Sequence, residues 1–233
     1  MTAERVGHRE LAARLGDVRD RITAAALRAG RDPATVALVA VSKTFGADVL
    51  LGAIDAGVTD LGENRAQELK EKVAVIGDRA RWHFVGYLQT NKVRQVVGSV
   101  VLIHSLDRFG LAEAVARRAR SLGMTQDVLI EVNVAGERSK HGASPEEAVA
   151  LAVQVDGLDG IRVKGLMTMP PAAPNSDAVR PYFRQLVELR DRLQQSMPDA
   201  GELSMGMSGD FEAAIEEGAT IVRVGEAIFG PRS

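Results

Sequence analysis

Apolar positions along this chain follow two alternating periods. Near the start, Leu11, Leu15, Val18, Ile22 and Ala26 recur every three or four residues, with arginine and acidic residues between them. That spacing predicts an amphipathic helix. Short apolar runs and amphipathic stretches then alternate. The runs Val36–Ser42, Val58–Leu61, Trp82–Gly86, Val100–His104, Val128–Val134, Ile161–Met167, Glu202–Met205 and Thr220–Val224 predict strands. The stretches Ala47–Ala56, Arg65–Ile76, Thr90–Val97, Arg108–Leu122, Pro145–Val155, Val179–Gln195 and Asp210–Glu217 predict helices. Ser144-Pro145-Glu146-Glu147 has the form of a capping box with proline at the first helical position. Gly57 and Gly218 stand where glycine ends a helix.

Eight βα units in a row predict an α/β fold. They favour one closed (β/α)8 TIM-type barrel over residues 1–233, with the additional N-terminal helix against an end or side. The stiff segment Met169-Pro170-Pro171-Ala172-Ala173-Pro174 is then a βα loop and not a domain linker. Barrel chemistry lies at the carboxyl ends of the strands. The residues there include Lys43, Gly62-Glu63-Asn64, Tyr87-Leu88-Gln89, Thr168-Met169, Gly206-Met207-Ser208 and Gly225-Glu226, a ring rich in small and polar side chains.

Composition narrows the classes. Hydrophobic residues make up 45% and charged residues 26%, which predicts a soluble protein with a substantial core. A formal net charge of -2 argues against general attraction to nucleic acid or anionic membranes. With no cysteine there is no disulfide and no thiolate chemistry, and the expected compartment is the cytoplasm. A barrel of this length can bury its core alone, so a monomer is expected. The histidines His8, His83, His104 and His141 lack metal-ligand spacing, and no metal site is expected.

Lys43 closes the first strand, where a buried element opens onto the mouth. Partial burial penalises an ammonium and favours the neutral amine, which can capture an aldehyde as a Schiff base. A solvated strand-end lysine is the plain alternative. Two neighbouring segments suit a phosphate: Ser204-Met205-Gly206-Met207-Ser208-Gly209-Asp210 and Arg223-Val224-Gly225-Glu226-Ala227-Ile228-Phe229-Gly230. Glycine lets backbone N–H groups approach an anion, and barrels often bind phosphate after strands seven and eight. Ser208 and Gly225 are the candidates there. Asp210 suits a helix cap, since its charge repels phosphate. Arg223, if it points inward, needs a polar partner. His83, between Trp82 and Phe84, reads as a hydrogen-bonded interior or mouth residue. Lys140 is a second amine in a polar loop. Met167, Met169, Met205 and Met207 read as core fillers, two of which could line a flat ligand.

A reactive lysine with a phosphate cup points to a phosphate-bearing aldehyde, pyridoxal 5′-phosphate. The chain resembles the pyridoxal phosphate homeostasis proteins. The resemblance is carried by Ala40-Val41-Ser42-Lys43-Thr44, by Leu61-Gly62-Glu63-Asn64-Arg65-Ala66-Gln67-Glu68 and by Trp82-His83-Phe84-Val85-Gly86 with Leu88-Gln89-Thr90-Asn91-Lys92. Ile103-His104-Ser105-Leu106-Asp107-Arg108, Val132-Asn133-Val134-Ala135-Gly136-Glu137, Ser139-Lys140-His141-Gly142, Lys164-Gly165-Leu166-Met167-Thr168-Met169 and the two anion segments extend it over nearly the whole chain. The resemblance implies a barrel like the N-terminal domain of alanine racemase. It implies a Schiff base on Lys43, Asn64 beside the ring, Ser208 with the backbone of Gly225 and Glu226 on the phosphate, and Arg223 facing the pyridine nitrogen. It adds His83, Met167 and Met207 as lining residues. Glu226 departs from the family's usual threonine or serine, so only its backbone N–H should serve phosphate. Tyr87 stands where proline is common.

The resemblance implies a carrier acting in intracellular cofactor homeostasis, with pyridoxal-phosphate-dependent enzymes as recipients. A permanent cation at the ring nitrogen opposes its protonation and makes the cofactor a weaker electron sink. Alanine racemase adds a second domain with a tyrosine base. Here the chain ends just past the eighth strand, its tyrosines are Tyr87 and Tyr182, and no second base faces Lys43 in the sequence. No catalytic residue is therefore assigned. The alternatives are an amino-acid racemase-like enzyme, or a phosphosugar-binding barrel that uses the cup without the lysine.

Overall fold

The structure, a computed structural model, describes residues 7–137 and 140–231. Ser139, quoted in the Lys140 motif, and the side chain of His8 lie outside the described residues. Eight parallel strands close into a barrel in chain order: β1 Ala37–Val41, β2 Asp60–Glu63, β3 Arg81–Phe84, β4 Leu102–Leu106, β5 Gln126–Glu131, β6 Ile161–Met167, β7 Glu202–Ser204 and β8 Ile221–Val224. β8 returns to β1, with Val39 opposite Arg223. The helices are α1 His8–Arg28, α2 Ala47–Asp55, α3 Ala66–Ile76, α4 Val93–Val96, α5 Phe109–Ser121, α6 Pro145–Asp156, α7 Arg180–Gln194, α8 Phe211–Glu216 and α9 Glu226–Phe229.

The expected (β/α)8 barrel with its extra N-terminal helix is what forms. α1 lies along α8 and α9 on the barrel's side. Arg21 donates to Glu212 at 2.8 Å and Arg28 to Glu216 at 2.8 Å, while Arg31 donates to the Ile215 carbonyl at 2.7 Å. These exposed or half-buried pairs set orientation more than stability. Most of the apolar core lies between strands and helices. A separate small cluster, Val39, Leu102, Leu129, Met167 and Ile221, occupies the same strand face as Arg223 and Ser204, and this is the barrel interior.

Boundaries shift where local hydrogen bonding outranks the apolar pattern. β2 starts at Asp60, not Val58, because Val58 finishes the preceding helix. Its N–H donates to the Ala53 carbonyl at 2.9 Å and that of Gly57 to Ile54 at 2.8 Å, with Gly57 at φ 97°. That is a Schellman ending. Gly218 closes α8 in the same way, with Ala219 donating to Ala214 at 2.8 Å. The expected helix over Thr90–Val97 divides into a 3-10 turn, Thr90–Lys92, and α4. At α6, Pro145 takes the first helical position, but Ser144 Oγ donates to the Glu147 carboxylate at 2.8 Å and caps no backbone N–H. The short α9 was not expected. It makes the exit of β8 a helical turn.

Candidate functional site

β1 ends at Val41, and the chain leaves it through Ser42, Lys43 and Thr44. Ser42 is wholly buried and its N–H donates to the Gly62 carbonyl at 2.9 Å. Its hydroxyl donates to Glu63 Oε1 at 2.6 Å. Lys72, from α3, donates to that same carboxylate oxygen at 2.5 Å and to the Ser42 carbonyl at 2.8 Å. Glu68, one turn earlier, accepts from the Thr44 N–H at 3.1 Å. Thr44 is the only non-glycine among the described residues with positive φ, 74°. Such backbone needs surrounding structure to hold it. Lys43 thus sits between two backbone groups tied to one helix, and its side chain lies half-buried at the mouth.

The mouth holds a cavity of about 460 Å³. Lys43, Asn64, Met207, Ser208, Arg223, Gly225 and Glu226 line it, joined by Val41, Phe45, Tyr87 and Met169. Seven of the nine residues picked from sequence therefore meet in one place. Asn64 is held by a close backbone approach. A methyl on Gly86 would stand 2.2 Å from the Asn64 carbonyl oxygen, so only glycine fits there. Asn64 Oδ1 is buried without a hydrogen-bond partner among the described residues. Such an acceptor is costly unless something donates to it.

On the β7–β8 side, Ser208 Oγ accepts from the Ala227 N–H, in the first turn of α9, at 3.3 Å. This contact joins the two glycine-rich segments. Gly225 passes close to β1; a side chain on it would stand 3.0 Å from the Val41 carbonyl. Asp210 does not cap α8 with its side chain as expected. Its Oδ1 turns back to accept from the Met207 N–H at 2.5 Å and so tightens the loop that presents Ser208. Burial raises its pKa, against the attraction of Arg223.

Arg223 points inward from β8 and is 4% exposed. Its Nη1 donates to Ser204 Oγ at 2.6 Å and its Nη2 to the Thr168 carbonyl at 3.0 Å. Burial lowers its pKa to about 10, with Glu131 and Asp210 opposing, so it stays a cation at neutral pH. Glu131 is pushed up to about 7 by burial and by Asp107, against Arg223.

Two expectations fail on placement. His83 does not reach the mouth cavity. It lies deeper in the barrel, with Nε2 at 2.9 Å from Asp60 Oδ1 and Nδ1 at 2.9 Å from His104 Nε2. It borders a separate cavity at the amino ends of the strands, with Arg81, Asp127 and Lys164. The strand alternation aims it inward, but two residues too early along β3. Met167 is wholly buried in the interior apolar cluster. Met169 and Met207 are the two methionines that line the mouth. Lys140 pairs with Glu137 at 3.2 Å and borders an adjoining cavity with Met169 and Met207. Tyr87 stacks on His141, ring centroids 3.8 Å apart, with Arg108 over its ring.

Sequence reasoning missed the Glu63–Lys72 pair and the run of interior polar groups. The signal for Lys72 was present: it shares the apolar face of α3 with Leu69 and Ile76. A lysine there needs a buried anion.

The model of the family "alanine racemase, N-terminal domain" matches residues 14–233. A protein of Aquifex aeolicus named pyridoxal phosphate homeostasis protein is 50% identical over 221 residues, 94% of this chain and 97% of that one. The solved structure of PipY from Synechococcus elongatus, with PLP bound, superposes with a TM-score of 0.82 at 34% identity, over 94% of this chain and all (100%) of that one. Alanine racemase of Clostridium difficile shares the fold, with a TM-score of 0.72 at 17% identity, over 95% of this chain and 56% of that one.

Proposed function

This chain belongs to the pyridoxal phosphate homeostasis protein family, and from that premise we propose that it binds pyridoxal 5′-phosphate reversibly in the mouth cavity as a carrier of the cofactor. The observation that carries this reading is the meeting of Lys43, Asn64, Ser208, Arg223 and Gly225 around one cavity. The donor set fits the cofactor's chemistry. Lys43 supplies an amine for its aldehyde. The buried Asn64 Oδ1, without a partner among the described residues, awaits a donor. Ser208 and the first turn of α9 offer a hydroxyl and backbone N–H groups to its phosphate. Glu226 has only its N–H to offer there, because a carboxylate repels phosphate.

The cofactor, when bound, supplies an aldehyde for amine capture and a ring that can withdraw electrons. Arg223 opposes that second ability. It stays cationic at neutral pH, and a cation beside a pyridine nitrogen disfavours protonation of that nitrogen. Storage then prevails over carbanion chemistry. The proposal includes a cytoplasmic monomer that hands the cofactor to pyridoxal-phosphate-dependent enzymes. Sedimentation, cell fractionation and activation of an apoenzyme by the loaded protein test those three points.

The direct test is absorbance near the visible edge after mixing with pyridoxal 5′-phosphate, then borohydride reduction and peptide mapping. Modification should map to Lys43 and vanish in Lys43→Ala. A spectrum that survives Lys43→Ala overturns the reading. A second reading, an amino-acid racemase-like enzyme, is favoured by one observation: Tyr87 brings a phenol to the same cavity. Deuterium exchange at Cα of amino acids, above the Lys43→Ala background and lost in Tyr87→Phe, would support it.

A further inference from the structure

We propose that Asp60, His83, His104 and Ser204 form a one-directional hydrogen-bond chain that crosses the barrel and positions Arg223, so that a carboxylate at the amino ends of the strands controls a cation at the mouth. The link to the cofactor rests on the reading above; the chain itself does not.

Four contacts make it. Asp60 Oδ1 lies 2.9 Å from His83 Nε2, and His83 Nδ1 lies 2.9 Å from His104 Nε2. His104 Nδ1 lies 2.8 Å from Ser204 Oγ, and Arg223 Nη1 lies 2.6 Å from the same oxygen. The members come from β2, β3, β4, β7 and β8, and each is 6% exposed or less. Water therefore has little access to the central His104–Ser204 link, while Asp60 and His83 border the cavity at the amino ends and Arg223 the one at the mouth.

The two ends set the direction. A guanidinium only donates. Asp60 only accepts: burial opposes its ionisation, but hydrogen bonds from His83, Arg81 and Thr59 prevail and bring its pKa to about 2. Burial keeps His104 neutral, helped by the nearby charge of Arg223. With one proton on each ring, one arrangement satisfies every link. Arg223 donates to Ser204, the Ser204 hydroxyl to His104 Nδ1, His104 Nε2–H to His83 Nδ1, and His83 Nε2–H to Asp60. The opposite tautomers would aim a lone pair of His83 at a carboxylate. The charged groups around the ends are Glu131 and Asp210 near Arg223, and Arg81, Lys164, Asp127 and Glu202 around the cavity at Asp60.

The chain does for Arg223 what a single acceptor cannot. Glu131 and Asp210 both attract the guanidinium. Ser204 Oγ can accept from it with a lone pair because its own proton is committed to His104. Without Asp60, both rings lose their fixed tautomer, and Ser204 is free to point its proton at Arg223.

Nitrogen-detected imidazole spectra of the ¹⁵N-labelled protein without cofactor test the chain alone. At neutral pH both His83 and His104 should carry hydrogen on Nε2; Nδ1–H on either ring overturns the proposal. Asp60→Ala and Ser204→Ala should then each weaken pyridoxal phosphate binding about tenfold, the scale of one charge-assisted hydrogen bond. They should also shift the absorbance of the bound form, while borohydride still fixes it to Lys43. Asp60→Asn keeps an acceptor oxygen and should restore the wild-type spectrum. Arg81→Gln, which removes only the exposed partner of Asp60, should leave it unchanged. If Asp60→Ala and Ser204→Ala lower the melting temperature alone, with wild-type affinity and spectrum, the chain is mere packing and the proposal fails. If the wild type takes up no pyridoxal phosphate, the cofactor reading fails while the tautomer result stands.

Discussion

Lys72 Nζ lies 2.8 Å from the carbonyl oxygen of Ser42, the residue before Lys43. The same ammonium bonds the wholly buried Glu63. A pair buried this deeply is poor evidence of net stability, since its desolvation cost rivals its attraction. Breaking it is another matter. Lys72→Met leaves Glu63 buried beside no cation and should cost roughly 3–5 kcal/mol. The double variant Lys72→Met/Glu63→Gln should recover much of that loss in urea unfolding. Both should slow covalent capture of the aldehyde at Lys43, because the Ser42 carbonyl is no longer held. Equal stability of the single and double variants would contradict this account.

Gly86 governs Asn64 through space that only glycine leaves. A methyl there would stand 2.6 Å from the Asn64 Cα and 2.7 Å from its carbonyl carbon. These are backbone atoms and cannot rotate aside. Gly86→Ala should cost about 1–3 kcal/mol, as overpacking does. It should also displace Asn64 and weaken cofactor binding as much as Asn64→Ala does. Thermal unfolding and equilibrium dialysis with pyridoxal phosphate measure the two effects. A variant with reduced stability but intact binding would separate Asn64 from the site.

Ser208 sits where a hydroxyl and the Ala227 N–H meet. If that corner takes the phosphate, Ser208→Ala should weaken binding of pyridoxal 5′-phosphate about tenfold, the worth of one hydrogen bond to a charged group. Binding of unphosphorylated pyridoxal should hardly change. Competition of the two ligands reads the ratio directly. An equal loss for both would move the phosphate elsewhere in the cavity.

The barrel was legible because eight apolar runs alternate with helical stretches, and parallel strands buried on both faces announce themselves. The mouth was legible where backbone geometry forces glycine beside a polar residue, as at Ser208 and Gly225. Depth along a strand was not. His83 and Arg223 both point inward, yet His83 lines the far end and Arg223 the mouth. Apolar patterning assigns a face and leaves the layer open. Only pairing register, such as Gly62 opposite His83 and Val39 opposite Arg223, resolves that. Met167 fails for the same reason, one layer below Met169. Lys72 was missed because its partner lies on a different element.

Glu131 gives the barrel interior a pH signature. Burial, then repulsion from Asp107, hold its pKa at about 7 against an ordinary 4.5, despite the attraction of Arg223. The folded state therefore binds a proton that the unfolded chain has already released. That favours folding below pH 4.5, and the advantage fades as pH rises to 7. That gap corresponds to roughly 3 kcal/mol at most. Glu131→Gln cannot ionise, so its urea midpoint should change less between pH 5 and 8 than that of the wild type. The opposite sign belongs to Asp60, whose depressed pKa removes stability only as pH falls from 3.8 toward 2. The two windows do not overlap, so a loss between pH 5 and 8 that persists in Glu131→Gln would assign the titration to another group.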